Sequence, residues 1–135
     1  MIPDWVGAYV GQPFDEKDLN CWLLIRRIYA ERFGIGLPSY NGDYASSADV
    51  PAIRGLIQDT LPCWLPVIGP AELGDVVILR IMGYPWHVGL MLNDVDFLHA
   101  DRKLGVVIER ITSPIWARRV LAIVRQTAIE AVAED

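Results

Sequence analysis

Asp18-Leu19-Asn20-Cys21-Trp22-Leu23-Leu24-Ile25 runs from a polar loop into an apolar helix and sets a cysteine at the junction. The first turn of a helix carries unpaired N–H groups and partial positive charge. A thiol held there ionises more readily, and the thiolate is the nucleophilic form. Asp18 and Asn20 are the candidate caps for the first N–H groups. From Cys21 to about Phe33, Trp22, Ile25, Tyr29 and Phe33 recur at spacings of three and four. Leu24 and Ile28 widen the stripe, and Arg26, Arg27, Glu31 and Arg32 are left to face water. Gly34 is the expected stop.

Outward from this helix, Trp5, Tyr9 and Phe14 are expected on one side of a short N-terminal helix that ends before Pro13. Pro38, Asn41 and Gly42 mark a loop running through Tyr40 and Tyr44 to Ser47. A second helix is expected from about Val50 to Thr60, with Asp49 as its cap and Pro51 in its first turn. Pro62, Pro66 and Pro70 leave no room for a regular element over residues 62–72. From Leu73 the period changes to that of strands. Val76–Ile81, Trp86–Leu92, Phe97–Ala100, Gly105–Arg110 and Val120–Arg125 read as five strands, and their short connections imply antiparallel neighbours. Helices first and strands after point to an α+β fold, helices packed on one antiparallel sheet of five to six strands. Residues 127–135 read as an acidic, frayed tail.

The 135 residues favour one domain spanning 1–135, long enough for a core without staples. Apolar content of 53% and charged content of 21% are those of a globular chain. A net charge of −5 argues against nucleic acid as a partner. No stretch approaches the roughly 18–20 unbroken apolar residues of a bilayer span, so no membrane insertion is expected. Met1-Ile2-Pro3-Asp4-Trp5 lacks the basic-then-apolar pattern of a signal peptide. Synthesis in the cytoplasm is therefore expected, with any outside action needing another delivery route. Two cysteines are too few for a disulfide framework. Cys63, among Leu61, Pro62, Trp64 and Leu65, reads as a buried, inert thiol.

Cys21, Cys63, His87 and His99 are the soft nitrogen and sulfur ligands. Structural zinc sites contain ligand pairs two to four residues apart. Gaps of 42, 24 and 12 give no such pair, so neither a metal nor another cofactor is expected. A thiol hydrolase needs only that nucleophile, base and orienting group be neighbours in space. His87 and His99 fall on successive strands. His87 can then take the Cys21 proton while His99 binds its other ring nitrogen. The Cys21 N–H is the natural oxyanion donor. Gly89 shares the strand face of His87 and leaves room there for a backbone or a ligand. Taken singly, each of the three residues reads more simply as packing or structural; their combination carries the reading.

These residues resemble the NlpC-type family of papain-like cysteine peptidases, the cell-wall endopeptidases of bacteria and phages. Asn20-Cys21-Trp22-Leu23-Leu24 stands where the family has Asp-Cys-Ser/Trp-Gly-Leu. His87-Val88-Gly89, with His99 twelve residues on, matches its strand signature, and Gly74-Asp75 matches the Gly-Asp before the preceding strand. Tyr9-Val10-Gly11-Gln12-Pro13-Phe14 and Gly34-Ile35-Gly36-Leu37-Pro38-Ser39-Tyr40 look like the phage-tail branch. The likeness runs from about Trp5 to Arg125. It implies a papain-like fold, Cys21 as nucleophile, His87 as general base and His99 as third polar residue. It also implies a peptidoglycan stem peptide as substrate, commonly cut after γ-linked D-glutamate. Tail proteins of the hub or tip would be partners, and carriage in a virion tail would bring the protein to the host wall. Tyr9, Phe14, Asn20, Trp22 and Trp86 are the substrate or oxyanion candidates.

Several positions depart from the family pattern. Asn20 replaces Asp, Leu23 replaces a small residue, and Phe14 stands where many cellular members have a tyrosine of the oxyanion site. The loop from Phe14 to Cys21 is also short. Two further readings stay open: a tail structural or assembly protein with little hydrolysis, presenting Trp64, Trp86 and Trp116 as exposed aromatics, and thiol-based acyl transfer or amidase chemistry.

Overall fold

The computed structural model describes residues 2–15, 19–37, 64–81 and 84–126. Asp18, the loop through Tyr40 and Tyr44, the helix expected at Val50 to Thr60, Cys63 and the tail at 127–135 lie outside the described residues. A 3-10 helix, Asp4–Ala8, opens the chain. Helix α1 spans Cys21–Ile28 and continues as a π-helical turn over Tyr29–Phe33. Gly34 then ends it in the left-handed conformation, φ 67°, which a residue without Cβ adopts at little cost.

Six strands follow: β1 (Trp64–Pro66), β2 (Val76–Ile81), β3 (Tyr84–Met91), β4 (Asp96–Asp101), β5 (Gly105–Arg110) and β6 (Val120–Gln126). They form one antiparallel sheet in the order β1-β6-β2-β3-β4-β5. Two expectations need correction. The proline-rich stretch does contain an element, because β1 is a three-residue edge strand, and an edge tolerates the missing N–H of Pro66. Nor are β5 and β6 neighbours. Residues 111–119 carry the chain from the β5 edge back across the sheet to pair β6 with β2.

Strand alternation separates two apolar layers. Val76, Ile78, Val88, Leu90 and Leu98 face α1, which packs on β3 and β4 through Leu24, Ile25 and Ile28. Val77, Leu79, Met91 and Phe97 face the other way and are covered by Trp116 of the crossing segment. Trp64 and Trp116, expected as exposed aromatics, are both buried, each filling one of these layers.

Gly74-Asp75 proves to be an anchor. The buried Asp75 accepts two bonds from Arg125, Nε to Oδ1 at 2.8 Å and Nη2 to Oδ2 at 2.9 Å, and a third from the Glu72 N–H. Tyr29 donates to the Gly74 carbonyl, so the end of α1 is tied to the start of β2. At the opposite edge, Gly11 and Gln12 exchange backbone bonds with Val106 of β5. A Cβ on Gly105 would lie 2.4 Å from the Gln12 carbonyl oxygen, so only glycine permits this approach.

Candidate active site

Asn20 caps α1. Its backbone is extended (φ −91°, ψ −174°) and its Oδ1 accepts the Leu23 N–H at 2.9 Å. The amide thus does the capping work of the aspartate it replaces. The helix begins at Cys21, as the sequence implies. The Cys21 side chain is 5% exposed and belongs to the apolar layer between α1 and the sheet. A thiol in such surroundings gives up its proton only to a neighbouring base.

The two histidines meet. His87 Nε2 lies 2.8 Å from His99 Nδ1, with the rings nearly perpendicular. Both point to the sheet face opposite α1, alongside Phe97, which stacks on His99, and Trp116, which stacks on His87 and meets His99 edge-on. β3 and β4 pair at Leu90↔Leu98 and Met91↔Phe97, and His87 stands beyond that ladder. On its other side His87 pairs with Leu79, and the register then shifts before Ile81↔Tyr84, with the extra residue on β3. Bulges commonly re-aim a side chain at the edge of a site. The space left by Gly89 is occupied by Phe97 rather than by a ligand: a Cβ there would lie 2.7 Å from the phenyl ring, with the Leu98 carbonyl oxygen next at 3.3 Å.

A third group joins the imidazoles. His99 Nε2 contacts Glu109 Oε2 at 2.5 Å, so a polar chain runs from β3 through β4 to β5. Burial disfavours the charged form of His87 and pulls its pKa down to about 3. The His99 ring and Arg102 push the same way, and Asp101 opposes them. His99 is also lowered by burial, against the pull of Glu109 and Asp101. Burial works against the charge of Asp101. The Leu104 and Lys103 N–H groups, with the two imidazoles, nevertheless hold its carboxyl below the usual range. The site therefore holds two neutral imidazoles at neutral pH, as a general base requires.

Phe14 is half-buried under the Arg102 guanidinium, 5.3 Å from its ring centre, which places it towards the histidine end. Tyr9 is elsewhere. Its hydroxyl donates to Glu31 at 2.5 Å and accepts from Arg32, about 15 Å along the helix from Cys21. Trp22 turns towards Trp64 on the β1 edge, the side of the sheet away from β5. Trp86 is on β3, and its side chain lies outside the described structure. Sequence reading missed Glu109 and Trp116. Glu109 lies diagonally across the β4–β5 hairpin from His99, the long side chain reaching two residues past the direct partner Val107. Among the described residues, no three His, Cys, Asp or Glu side chains form a group suited to a metal ion. No described helix is long and apolar enough to cross a membrane.

A capped helix with cysteine at its first position, docked on an antiparallel sheet that carries an imidazole pair, defines the papain-like class. The NlpC/P60 family model matches residues 6–125, and the chain belongs to that family. The chain is 25% identical over 117 residues to the murein DD-endopeptidase MepS/murein LD-carboxypeptidase of Escherichia coli K12, covering 86% of this chain and 54% of that protein. It is 28% identical over 123 residues to tail tip assembly protein K of Escherichia phage N15, covering 84% and 47%. A probable endopeptidase of Haemophilus influenzae is 21% identical, with 85% and 64% covered. The chain thus spans about half to two thirds of the length of these relatives. Among solved structures, a lipoprotein-like NLP/P60 family protein of Staphylococcus aureus superposes with a TM-score of 0.60 at 22% identity, covering 91% of this chain and 39% of that one. The P60 domain of an antigen from M. avium subspecies paratuberculosis gives 0.55 at 17%, covering 89% and 88%. Both share the fold.

Proposed function

We propose that this chain is a cysteine endopeptidase cutting peptidoglycan stem peptides, with Cys21 as nucleophile, His87 as general base and His99 as its orienting partner. The observation that carries the reading is the 2.8 Å contact between the two imidazoles, on strands against which the Cys21 helix packs. With its Nε2 engaged by His99, His87 has Nδ1 left to face a thiol. On this reading the thiol and the ring would meet past the end of the β3–β4 ladder, because His87 lies on the sheet face away from α1 and Cys21 in the layer beneath it. Transfer of the Cys21 proton to Nδ1 gives a thiolate and an imidazolium. In a buried setting their attraction offsets the burial that otherwise keeps the ring neutral. The sulfur adds to the scissile carbonyl carbon, and the oxyanion is met by the Cys21 N–H at the helix start. Collapse breaks the C–N bond as His87 returns the proton to the leaving amine. Water, deprotonated by His87, then hydrolyses the thioester and restores the thiol.

The family and the endopeptidase relatives support peptidoglycan as substrate, and a γ-D-glutamyl bond is the proposed point of cleavage. Similarity to a phage tail tip assembly protein supports carriage in a virion tail, with hub or tip proteins as partners. The same similarity favours a second reading, an assembly protein on this fold with weak hydrolysis. Purified protein incubated with peptidoglycan sacculi, with fragments identified by mass spectrometry, separates the two. The hydrolase reading expects new amino termini in the stem peptide, abolished by Cys21→Ala with circular dichroism unchanged. Cleavage that survives Cys21→Ala rejects it. No cleavage by either protein, with binding to tail-tip proteins intact, favours assembly.

A further inference from the structure

The polar chain does not end at the second imidazole, and the function above makes no use of its last member. Glu109 Oε2 lies 2.5 Å from His99 Nε2, and His99 is only 1% exposed. A carboxylate accepts hydrogen bonds and donates none. His99 must therefore carry its proton on Nε2, which leaves Nδ1 bare. The 2.8 Å contact between His99 Nδ1 and His87 Nε2 needs one hydrogen, so His87 supplies it from Nε2. His87 Nδ1 is then bare as well. The carboxylate on β5 thus decides where the proton sits on an imidazole two strands away.

We infer that Glu109 is a positioning residue, which fixes the tautomers of both histidines so that His87 presents an unprotonated Nδ1. Without it, His99 loses the acceptor that holds its Nε2 proton. The pair can then reverse: His99 donates from Nδ1, His87 accepts at Nε2, and His87 Nδ1 carries the proton. In that state the ring facing the nucleophile is blocked as a base. The tautomer assignment stands on the two contacts alone, and only its consequence for Cys21 rests on the hydrolase reading.

The test uses the full chain with ¹⁵N-labelled histidine. Long-range ¹H–¹⁵N spectra at pH 7 report which ring nitrogen is protonated. In parallel, iodoacetamide alkylation of Cys21 is followed by mass spectrometry from pH 5 to 9. The groups that set the His87 profile are His99, Asp101 and Arg102, with Cys21 on the hydrolase reading; Glu109 and Asp101 act on His99. The wild type is expected to show Nε2–H on both rings. Glu109→Leu should shift both towards Nδ1–H and slow Cys21 alkylation at pH 7 by roughly 10- to 100-fold, taking the range known for partners that orient a metal-bound imidazole as the guide. Glu109→Gln can donate as well as accept, so it should give mixed tautomers and a smaller loss. It decides the matter alone if the leucine variant does not fold. Pure Nε2–H rings in either folded variant overturn the inference. If the tautomers shift but alkylation is indifferent to His87→Gln, Glu109 stands as the tautomer control and the hydrolase reading fails.

Discussion

Burial of the histidine pair makes the fold acid-sensitive in a defined window. The His87 pKa is held at about 3 against an ordinary 6.5, chiefly by burial. Below pH 6.5 the unfolded chain takes up a proton that the folded chain refuses. Stability from this group is therefore complete above pH 6.5 and is lost as pH falls through 6.5 towards 3. The slope is about 1.4 kcal/mol per pH unit for one proton. Between pH 6.5 and 4.5 that amounts to about 2–3 kcal/mol, a sizeable part of the roughly 5–15 kcal/mol that holds a domain folded. The carboxyls of Glu31 and Asp101 are held below their ordinary values of 4.5 and 3.8, so their losses come at lower pH. His87→Gln removes the titrating ring and keeps an N–H for His99. Urea unfolding followed by circular dichroism at pH 7, 6, 5 and 4.5 measures the difference. The wild type should lose about 2–3 kcal/mol more than the variant across the window. Parallel curves would refute the claim that burial holds His87 neutral.

Other substitutions probe the supports of the site. Gly89→Ala places a methyl 2.7 Å from the Phe97 ring, and chemical denaturation should show a loss of about 1–3 kcal/mol, with the ring current shifts of Phe97 on His99 altered. Asn20→Ala removes the bond to the Leu23 N–H and should cost about 1 kcal/mol by the same measurement, while Asn20→Asp should be close to neutral. Asp75→Ala leaves Arg125 without its bidentate partner and the Glu72 N–H without its acceptor. A loss of about 3 kcal/mol is expected, and a loss below 1 kcal/mol would show that Asp75 is not the anchor described.

What could be read from sequence followed periodicity. The spacing of Trp22, Ile25 and Tyr29 located α1, and short apolar runs bounded by turn residues located β2 to β6, because a packed face imposes its period on the chain. Asn20 was legible as a cap because its side chain bonds locally, within three residues. The pairing of His87 with His99 was legible because both lie on one short hairpin. Glu109 was not. A glutamate near the end of a strand reads as a solvated residue until the β4–β5 register is known, and only that register puts it diagonally beside His99. Trp116 was hidden for a different reason. It sits in a segment without period, whose path across the sheet depends on β6 pairing with β2 rather than β5. Tyr9 misled because aromatic spacing near the amino terminus says nothing about which end of α1 its hydroxyl will reach.

The two faces of the sheet explain why the site and the core can be altered separately. The α1 face is a packing surface: Val88, Leu90 and Leu98 alternate with the residues that carry the chemistry, and they hold the Cys21 helix against β3 and β4. The opposite face bears His87 and His99 under Trp116 and Phe97, with Glu109 half-exposed at the open end of the row. Moving any of these strands by one residue would exchange the two sets, putting imidazoles into the helix interface and valines beneath Trp116. Register is therefore fixed by the apolar face, and the proton chain inherits it. A substitution such as Val88→Ala should lower stability without disturbing the imidazole tautomers, whereas Glu109→Leu should shift the tautomers themselves. The contrast follows from alternation alone, because Val88 and His87 are adjacent in sequence and point in opposite directions.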